Sequence, residues 1–598
     1  MKRIGLLCKM MILSVLVFSQ LTDHTMAANP VKQGFTALNT TAKAPVTVTV
    51  GDPAQPAELP AAILAAYNNG SKDITIKPGT YTLPASGRNI ELLGWNDAAI
   101  HAKGVTIIFE NTRNRPVLFK GCTNVQLDGA ILQFAGISYT QGRIKAMGED
   151  SKGKYVDWQI DAGYTTDITP AKTTYNVINQ KTRLLRVGTG DSGAKESETM
   201  GNGLFRLRQV SGMMEGAQVN DWLVCRAKGG STIIHMDNSK SCTVKQVTLL
   251  NSGFAAFFES GGDGGHHYLG CKVTRGPKPK GATEEQLVSC GADGFHSTGT
   301  KIGPTIERCV WDGVLLDDPI AIHGSLQKVI RTEGNKLILE KGNRANFVVN
   351  EPVRISSGDG FFGQANCTAM RTLDAPESYL ELTLDKALPV PANAKAGNPD
   401  RNGKNFKIID CTLGNTRSRG ILVKGDNGII KGCTIEGCGM SAISIGPEYY
   451  WNEADYSWNV TVTGNTLRHN ALRNNKYADG VIFVHGDGAI GNRNITISNN
   501  HFEENYSPYM MNIEWSDGVT VTNNTIDKPS PEKMVLPGYI INLLGVHNIT
   551  LKGNTYSKPG LSFVQAVNIG KDVEGVKGND ATGIKEVATI KIATKKVK

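Results

Sequence analysis

Residues 494–526 read NITISNNHFEENYSPYMMNIEWSDGVTVTNNTI. One phrase occurs twice in this stretch, as Asn499-Asn500-His501-Phe502 and, 24 residues later, as Asn523-Asn524-Thr525-Ile526. It is a small or polar residue, then Asn, then two residues ending in an apolar one. The phrase recurs at Gly464-Asn465-Thr466-Leu467 and Gly553-Asn554-Thr555-Tyr556. With Cys in the Asn slot it recurs at Gly270-Cys271, Arg308-Cys309, Asp410-Cys411 and Gly432-Cys433. From Cys411 to Asn554 the slots are spaced 22, 32, 35, 24 and 30 residues apart. Unequal gaps around a constant phrase are turns of one coil with loops of different length. Stacked Asn side chains hydrogen-bond along such a coil, and Cys fills the same inward slot apolarly. The chain therefore reads as all-β, a right-handed parallel β-helix.

The coil needs a plug, because its first turn would expose a dry core and unpaired backbone. Leu59-Pro60-Ala61-Ala62-Ile63-Leu64-Ala65-Ala66-Tyr67 supplies a short apolar helix, followed by the alternating stretch DITIKPGTYTL. Two stretches of about 80 residues interrupt the repeat, 152–231 and 325–404. Each is long enough for a small β-barrel or sandwich inserted from a coil loop. The expected organisation is a signal peptide (1–27), an N-terminal cap with the first turns (28–151), an inserted β domain (152–231), coil carrying acidic turns (232–324), an inserted β-barrel (325–404), and the remaining coil with its C-terminal cap (405–598).

The 598 residues include 67 Gly without a G-X-Y period, which excludes collagen and suits a turn-rich β protein. Lys2 and Arg3, then the apolar run Met10–Ser19, then Met26-Ala27-Ala28 form the pattern of a secretory signal, too short to span a membrane. Removing it takes the formal charge from +9 to +7, mild for this size. No basic patch interleaved with aromatics points to nucleic acid. The protein is expected to be exported: periplasmic, surface-bound or secreted. Ten cysteines lie beyond the signal, most in the ladder slot, so they read as buried thiols with one or two bridges among them. Cys433 and Cys438 lack the companions of a zinc site.

Residues 290–324 carry the chemistry: CGADGFHSTGTKIGPTIERCVWDGVLLDDPIAIHG. Asp293 precedes Asp317 and Asp318 by 24 and 25 residues, one coil turn. Adjacent parallel strands stack about 4.8 Å apart, so the three acids gather in one patch. Two carboxyl groups about a sugar bond are the minimum for hydrolysing it. Alone, Asp293-Gly294 or Asp318-Pro319 would pass for turn formers. Crowded like charges raise one pKa, which is what a general acid needs. Aligning the strands after each ladder slot adds Glu259, His296 or Ser297, His323, Lys424, Glu448, His485 and Glu514 along one side, with Arg419 nearby. Trp515, Tyr449, Tyr450 and Trp451 are candidates for an aromatic surface under a sugar.

GADGFHSTG followed by DDPIAIHG resembles the core motif of glycoside hydrolase family 110. The resemblance implies an exo-acting, inverting α-galactosidase on a parallel β-helix with β-barrel insertions. It implies Asp293 as general acid, Asp317 and Asp318 as the base side, and neither metal nor cofactor. An inverting pair stands roughly 6.5–9.5 Å apart to admit water. A weaker similarity to polygalacturonases, with a uronate substrate, also runs through the Asp triplet, with His485, Arg419 or Lys424 as partners. A polysaccharide lyase using Lys424 or Arg419, and a non-catalytic glycan-binding protein, are the remaining readings. In each the partner is an oligo- or polysaccharide.

Overall fold

The computed structural model describes residues 47–577 apart from 213–214, 228, 375, 377, 474–478, 529–537 and 557–562. The expected signal peptide and the end of the chain lie outside the described residues. No helix among these residues is long and apolar enough to cross a membrane.

Three long parallel sheets wrap one coil. In the first, Thr461–Thr463, Thr496–Ser498, Thr520–Thr522 and Thr550–Lys552 pair in register, placing Val462, Ile497, Val521 and Leu551 one above another. Only the middle residue of each short strand turns inward, while its neighbours face solvent, as strand alternation requires. The second sheet follows each ladder slot and stacks Leu467, Phe502 and Ile526 likewise. The third sheet runs through Phe257–Ser260, Phe295–Thr298, the start of Ile320–Glu333, Ile421–Val423 and Ile443–Ile445.

The ladder explains the repeated phrase. The residue before each slot has positive φ: Gly270, Arg308, Asp410, Gly432, Gly464, Asn499, Asn523 and Gly553 all lie between 52° and 67°. This left-handed bend between two sheets favours Gly, Asn and Asp. Asn500 Oδ1 accepts from the Asn465 backbone N–H (3.1 Å) and Nδ2 (2.9 Å), and Asn500 Nδ2 donates to Asn524 Oδ1 (2.9 Å). The Cys433 N–H donates to Asn465 Oδ1 (2.9 Å), joining the cysteine run to the asparagine run. All ten described cysteines are buried and free, so the bridges expected for one or two pairs are not formed. In the ladder the thiols meet backbone carbonyls of the coil; Cys271 Sγ, for instance, lies 3.2 Å from the Val244 carbonyl.

Helix Leu59–Asn68 caps the coil with Leu59, Pro60, Ile63 and Ala66 buried. The first insertion is a single six-stranded antiparallel sheet, neither a barrel nor a sandwich, and it begins at Tyr139 rather than 152. Residue 152 falls in the turn of its first hairpin, Tyr139–Asp150 with Gly153–Ile160. One sheet suffices because its apolar face, with Ile144, Val156 and Trp158, packs on Leu287, Val288, Leu315 and Leu316 of the coil loops. In the second insertion Ile320–Glu333 leaves the coil and pairs with Lys336–Lys341. Pairing continues through Tyr379–Leu384, Gly360–Thr372, Pro352–Ser357 and Lys395–Gly397 back to Ile320–Glu333, a closed ring of six strands. Arg354 of this ring is buried and pairs with Asp426 (3.4 Å) and Asp455 (3.3 Å) of the coil. The coil resumes at Lys407–Ile409, which pairs with Thr305–Glu307.

Candidate active site

Asp293 and Asp317-Asp318 stand on the loops that enter two adjacent strands of the third sheet. The Gly294 N–H donates to the Asp318 carbonyl (3.0 Å), which locks the two loops together. Gly294 is not a turn glycine. A Cβ there would lie 2.1 Å from Trp311 Cδ1, so the indole beneath requires the missing side chain. One carboxylate oxygen from each of the three acids lies within 4.8 Å of the others. This is tighter than the roughly 6.5–9.5 Å of a simple inverting pair. Among the described residues these are the one group of acids, His or Cys close enough to chelate an ion. Arg226, Arg417 and Arg419 already supply positive charge around them.

The three carboxylates are not equivalent. Asp318 Oδ1 accepts from the Arg419 backbone N–H (2.8 Å), and the Arg419 guanidinium lies 3.5 Å from Oδ2. Burial raises the Asp318 pKa and Arg419 opposes the rise. Burial, with Asp293 and Asp318 nearby, pushes Asp317 up to about 7 against Arg417 and Arg419. Asp293 Oδ2 lies 3.1 Å from His296 Nδ1.

The proton positions on the two histidines follow from geometry. His323 Nδ1 is 2.7 Å from the Gly324 carbonyl, which can only accept, so Nδ1 carries the hydrogen. Burial lowers the His323 pKa to about 4, so the ring is neutral and its Nε2 bare. His296 Nε2, 3.1 Å from that nitrogen, must donate to it. Burial lowers the His296 pKa, but Asp293 beside it and Glu453 and Asp317 beyond outweigh this, and the net direction is up. His296 is thus an imidazolium that donates to Asp293 and to His323. Side-chain ¹⁵N NMR is expected to show His323 as one Nδ1–H tautomer down to about pH 4, and His296 doubly protonated above the ordinary value of about 6.5. The linkage signs are opposite. The stability from His296 is complete below about pH 6.5 and lost as pH rises through its folded pKa, whereas that from His323 is present above about 6.5 and lost towards 4. A His323 ring titrating near 6.5 with mixed tautomers would contradict this arrangement.

Beyond the histidines the charges close into a ring. His323 Nε2 is 3.9 Å from Glu453 Oε1. Lys424, fully buried, contacts Glu453 Oε2 closely and Glu448 Oε2 at 2.7 Å. Glu448 Oε2 accepts from Arg419 Nη2 (2.8 Å), which returns the ring to Asp318. The short turn between Glu448 and Glu453 exposes Tyr450 and Trp451, their rings 4.9 Å apart. Lys395 of the second insertion holds this turn through Tyr449 O and Asn452 Oδ1. The first insertion reaches the acids from its own side. Arg226 donates to the Gly291 carbonyl and feels the Asp317 charge, and Asp191 accepts from Arg417 (2.9 Å).

Of the residues expected from sequence, His296, His323, Arg419, Lys424 and Glu448 lie in this network. Glu259 does not. It pairs in register with Ser297, on the inward parity, and sits inside the coil. There Tyr268 Oη donates to Oε1 (2.9 Å) and Ser297 Oγ to Oε2 (2.7 Å), and burial raises its pKa to about 7. His485 and Glu514 form a neighbouring cluster: His485 pairs with Asp487 (3.1 Å), and Glu514 accepts from Asn512 (2.9 Å). His485 affects the charge of Asp479, and His485 and Asp479 both affect that of Glu514, so the cluster adjoins the Arg419–Glu448 end of the ring. The Trp515 ring lies against Gly545, where a Cβ would sit 2.3 Å from Cε3, so backbone covers one part of its surface. Glu453, Arg226, Arg417 and Asp191 were not expected. Only Glu453 left a trace in the sequence, as the acid of the YYWNE turn that also holds Tyr450 and Trp451.

Fold and acid-lined site together define a parallel β-helix protein built about a carboxylate triplet. Residues 400–577 match the right handed beta helix region family. Curated proteins similar to this chain include Alpha-1,3-galactosidase B of Bacteroides thetaiotaomicron, 26% identical over 200 residues, 31% of this chain and 32% of that protein. Alpha-1,3-galactosidase B of Akkermansia muciniphila is 21% identical over 259 residues, 40% of this chain and 32% of that protein. The match thus spans about a third of the length of each relative. Both agree with the resemblance to glycoside hydrolase family 110. Among solved structures, the Agl-KA catalytic domain is similar at 14% identity and a TM-score of 0.41, over 90% of this chain and 70% of that one.

Proposed function

We propose that the protein is a glycoside hydrolase that removes a terminal α-linked, galactose-like sugar in one inverting step. The observation that carries this reading is the buried triplet, in which burial and the neighbouring Asp293 and Asp318 push the Asp317 pKa up to about 7. Asp317 is the general acid of this scheme, and its proton goes to the glycosidic oxygen as the bond to C1 breaks. That exchanges the roles the family resemblance implies for Asp293 and Asp317. Oxygens up to 4.8 Å apart can share one water, which makes two bonds of about 2.8 Å at an angle near 120°. Asp293, fixed by His296, and Asp318, fixed by Arg419, hold this water. It attacks C1 as one of them takes its proton.

The walls favour a chain end over a chain middle, since the first insertion contributes Arg226 and the second fastens the Tyr450–Trp451 turn. Arg417, Arg419 and Lys424 are each engaged by a carboxylate, which fits a neutral sugar better than a uronate. The test is a panel of p-nitrophenyl glycosides and α-galactosyl oligosaccharides, with NMR of the first-formed anomer. β-Galactose from an α-linked substrate is the expected product. α-Galactose appearing first would replace the shared water by a covalent intermediate. An unsaturated uronide would make the protein a lyase, and tight sugar binding without product a lectin-like β-helix.

A further inference from the structure

The first insertion and three stacked coil turns border another cavity, open to solvent and of about 570 Å³, lined by Arg183, Arg275, Glu285, Gln286, Asp312 and Asn415. Its floor follows the paired strands Lys272–Thr274, Val310–Asp312 and Thr412–Thr416. Arg183 comes from the loop after Tyr175–Ile178 of the insertion. None of the acid triplet lines it.

The acids here are already engaged. Asp312 contacts Arg275 closely, Glu284 pairs with Arg143 (3.1 Å), and Glu285 with Lys278 (3.6 Å). Arg275 Nε donates to the Leu287 carbonyl (3.1 Å). Arg183 is different. Among the described residues it has no carboxylate partner, and its Nη2 reaches only the Glu285 and Gln286 carbonyls at 3.5 Å, the limit of a hydrogen bond. Its guanidinium lies 5.0 Å from the Trp222 ring, which Arg143 covers at 3.3 Å. Burial lowers the Arg183 pKa, and Arg275 and Arg143 add like-charge repulsion that Glu284 only partly offsets. A guanidinium with open N–H groups, set among other cations in a cavity, gains from a planar or tetrahedral oxyanion.

We propose that this cavity binds an oxyanion carried by a saccharide, a sulfate ester or a carboxylate, with Arg183 as its ligand. The saccharide half rests on the hydrolase reading; the oxyanion half does not. Asp312 and Asp317 are five residues apart in the chain, so their Cα atoms are separated by at most about 18 Å, within reach of one oligosaccharide.

Calorimetric titration of the intact protein with a monosulfated galactose, galacturonate, galactose and inorganic sulfate tests both halves. The two acidic sugars are expected to bind at least tenfold tighter than galactose and to keep binding when galactose is saturating. Arg183→Gln is expected to weaken them at least tenfold while turnover of a neutral α-galactoside is unchanged. Preference for only one of the acidic sugars identifies which oxyanion the cavity takes. Inorganic sulfate binding as tightly as the sulfated sugar would remove the saccharide half and leave the oxyanion half standing. Displacement of the acidic sugars by galactose, or equal binding by wild type and Arg183→Gln, would overturn the proposal. If no glycoside is turned over yet Arg183→Gln still loses the anions, the hydrolase reading fails and the anion site stands.

Discussion

Asp317→Asn is expected to lower kcat on an unactivated α-galactoside by about 10³, within the range for loss of a general acid. The argument turns on the leaving group. An alkoxide cannot depart without a proton, whereas p-nitrophenolate can. The same variant should therefore lose only about tenfold on the p-nitrophenyl substrate, where little proton transfer is needed. Asp293→Asn and Asp318→Asn disturb the water instead, and their losses should be similar on both substrates. The pH dependence has a definite sign. With the Asp317 pKa raised to about 7, wild-type turnover needs the protonated form and falls as pH rises through that value. The variant should lack this alkaline limb. Stability moves the same way. A carboxyl whose folded pKa exceeds its unfolded value binds more protons in the fold, so the wild type loses stability as pH rises from about 4 to about 7. Asp317→Asn removes that loss and should be at least as stable as wild type at pH 8. Equal losses on both substrates for Asp317→Asn, with the tenfold contrast appearing at Asp293 instead, would restore the roles implied by the family resemblance.

The acid triplet was legible in the sequence because it depends only on coil period. Asp293 and Asp317-Asp318 are one turn apart, and the parallel strands that follow them pair in register. The ladder was legible for the same reason, although the sequence did not say why Gly, Asn, Asp and Arg share the position before each slot. The left-handed bend supplies that reason. Glu259 was misplaced because its partner is Ser297, not His296, and a one-residue difference in parity turns a side chain from groove to core. Arg226, Arg417 and Asp191 were illegible for a different reason. Arg226 and Asp191 belong to the first insertion, and the contacts that bring them to the acids span 65 and 226 residues of sequence, with no repeat to count along. The boundary at 152 failed because a hairpin strand and a coil strand have the same period of two, so alternation could not mark the exit from the coil.

Lys424→Met is expected to destabilise the protein by about 3–5 kcal/mol, the usual cost of removing one partner from a buried ion pair. Lys424 is fully buried and is shared by Glu448 and Glu453, so methionine fills its space but leaves two carboxylates facing one another. Glu448 retains Arg419 at 2.8 Å, whereas Glu453 keeps only His323 at 3.9 Å. Burial favours a protonated Glu453, and the Lys424 ammonium is what holds its pKa below the ordinary carboxylate range. In the wild type that depressed pKa contributes stability above about pH 4.3, lost as pH falls through the folded value. Without Lys424 the folded pKa rises above the unfolded one and the sign reverses, so the deficit should be largest at pH 7 and shrink towards pH 5. Urea midpoints at the two pH values measure this, and Lys424→Met combined with Glu453→Gln should recover part of the loss. The effect also reaches the acids. An unpaired Glu453 draws a proton onto His323, whose Nε2 then donates instead of accepting. His296 loses its acceptor 3.1 Å away and can no longer be held against Asp293, so turnover of the folded variant should fall about tenfold. A deficit below about 1 kcal/mol, or one independent of pH, would mean that Lys424 is not the counter-charge that holds the ring together.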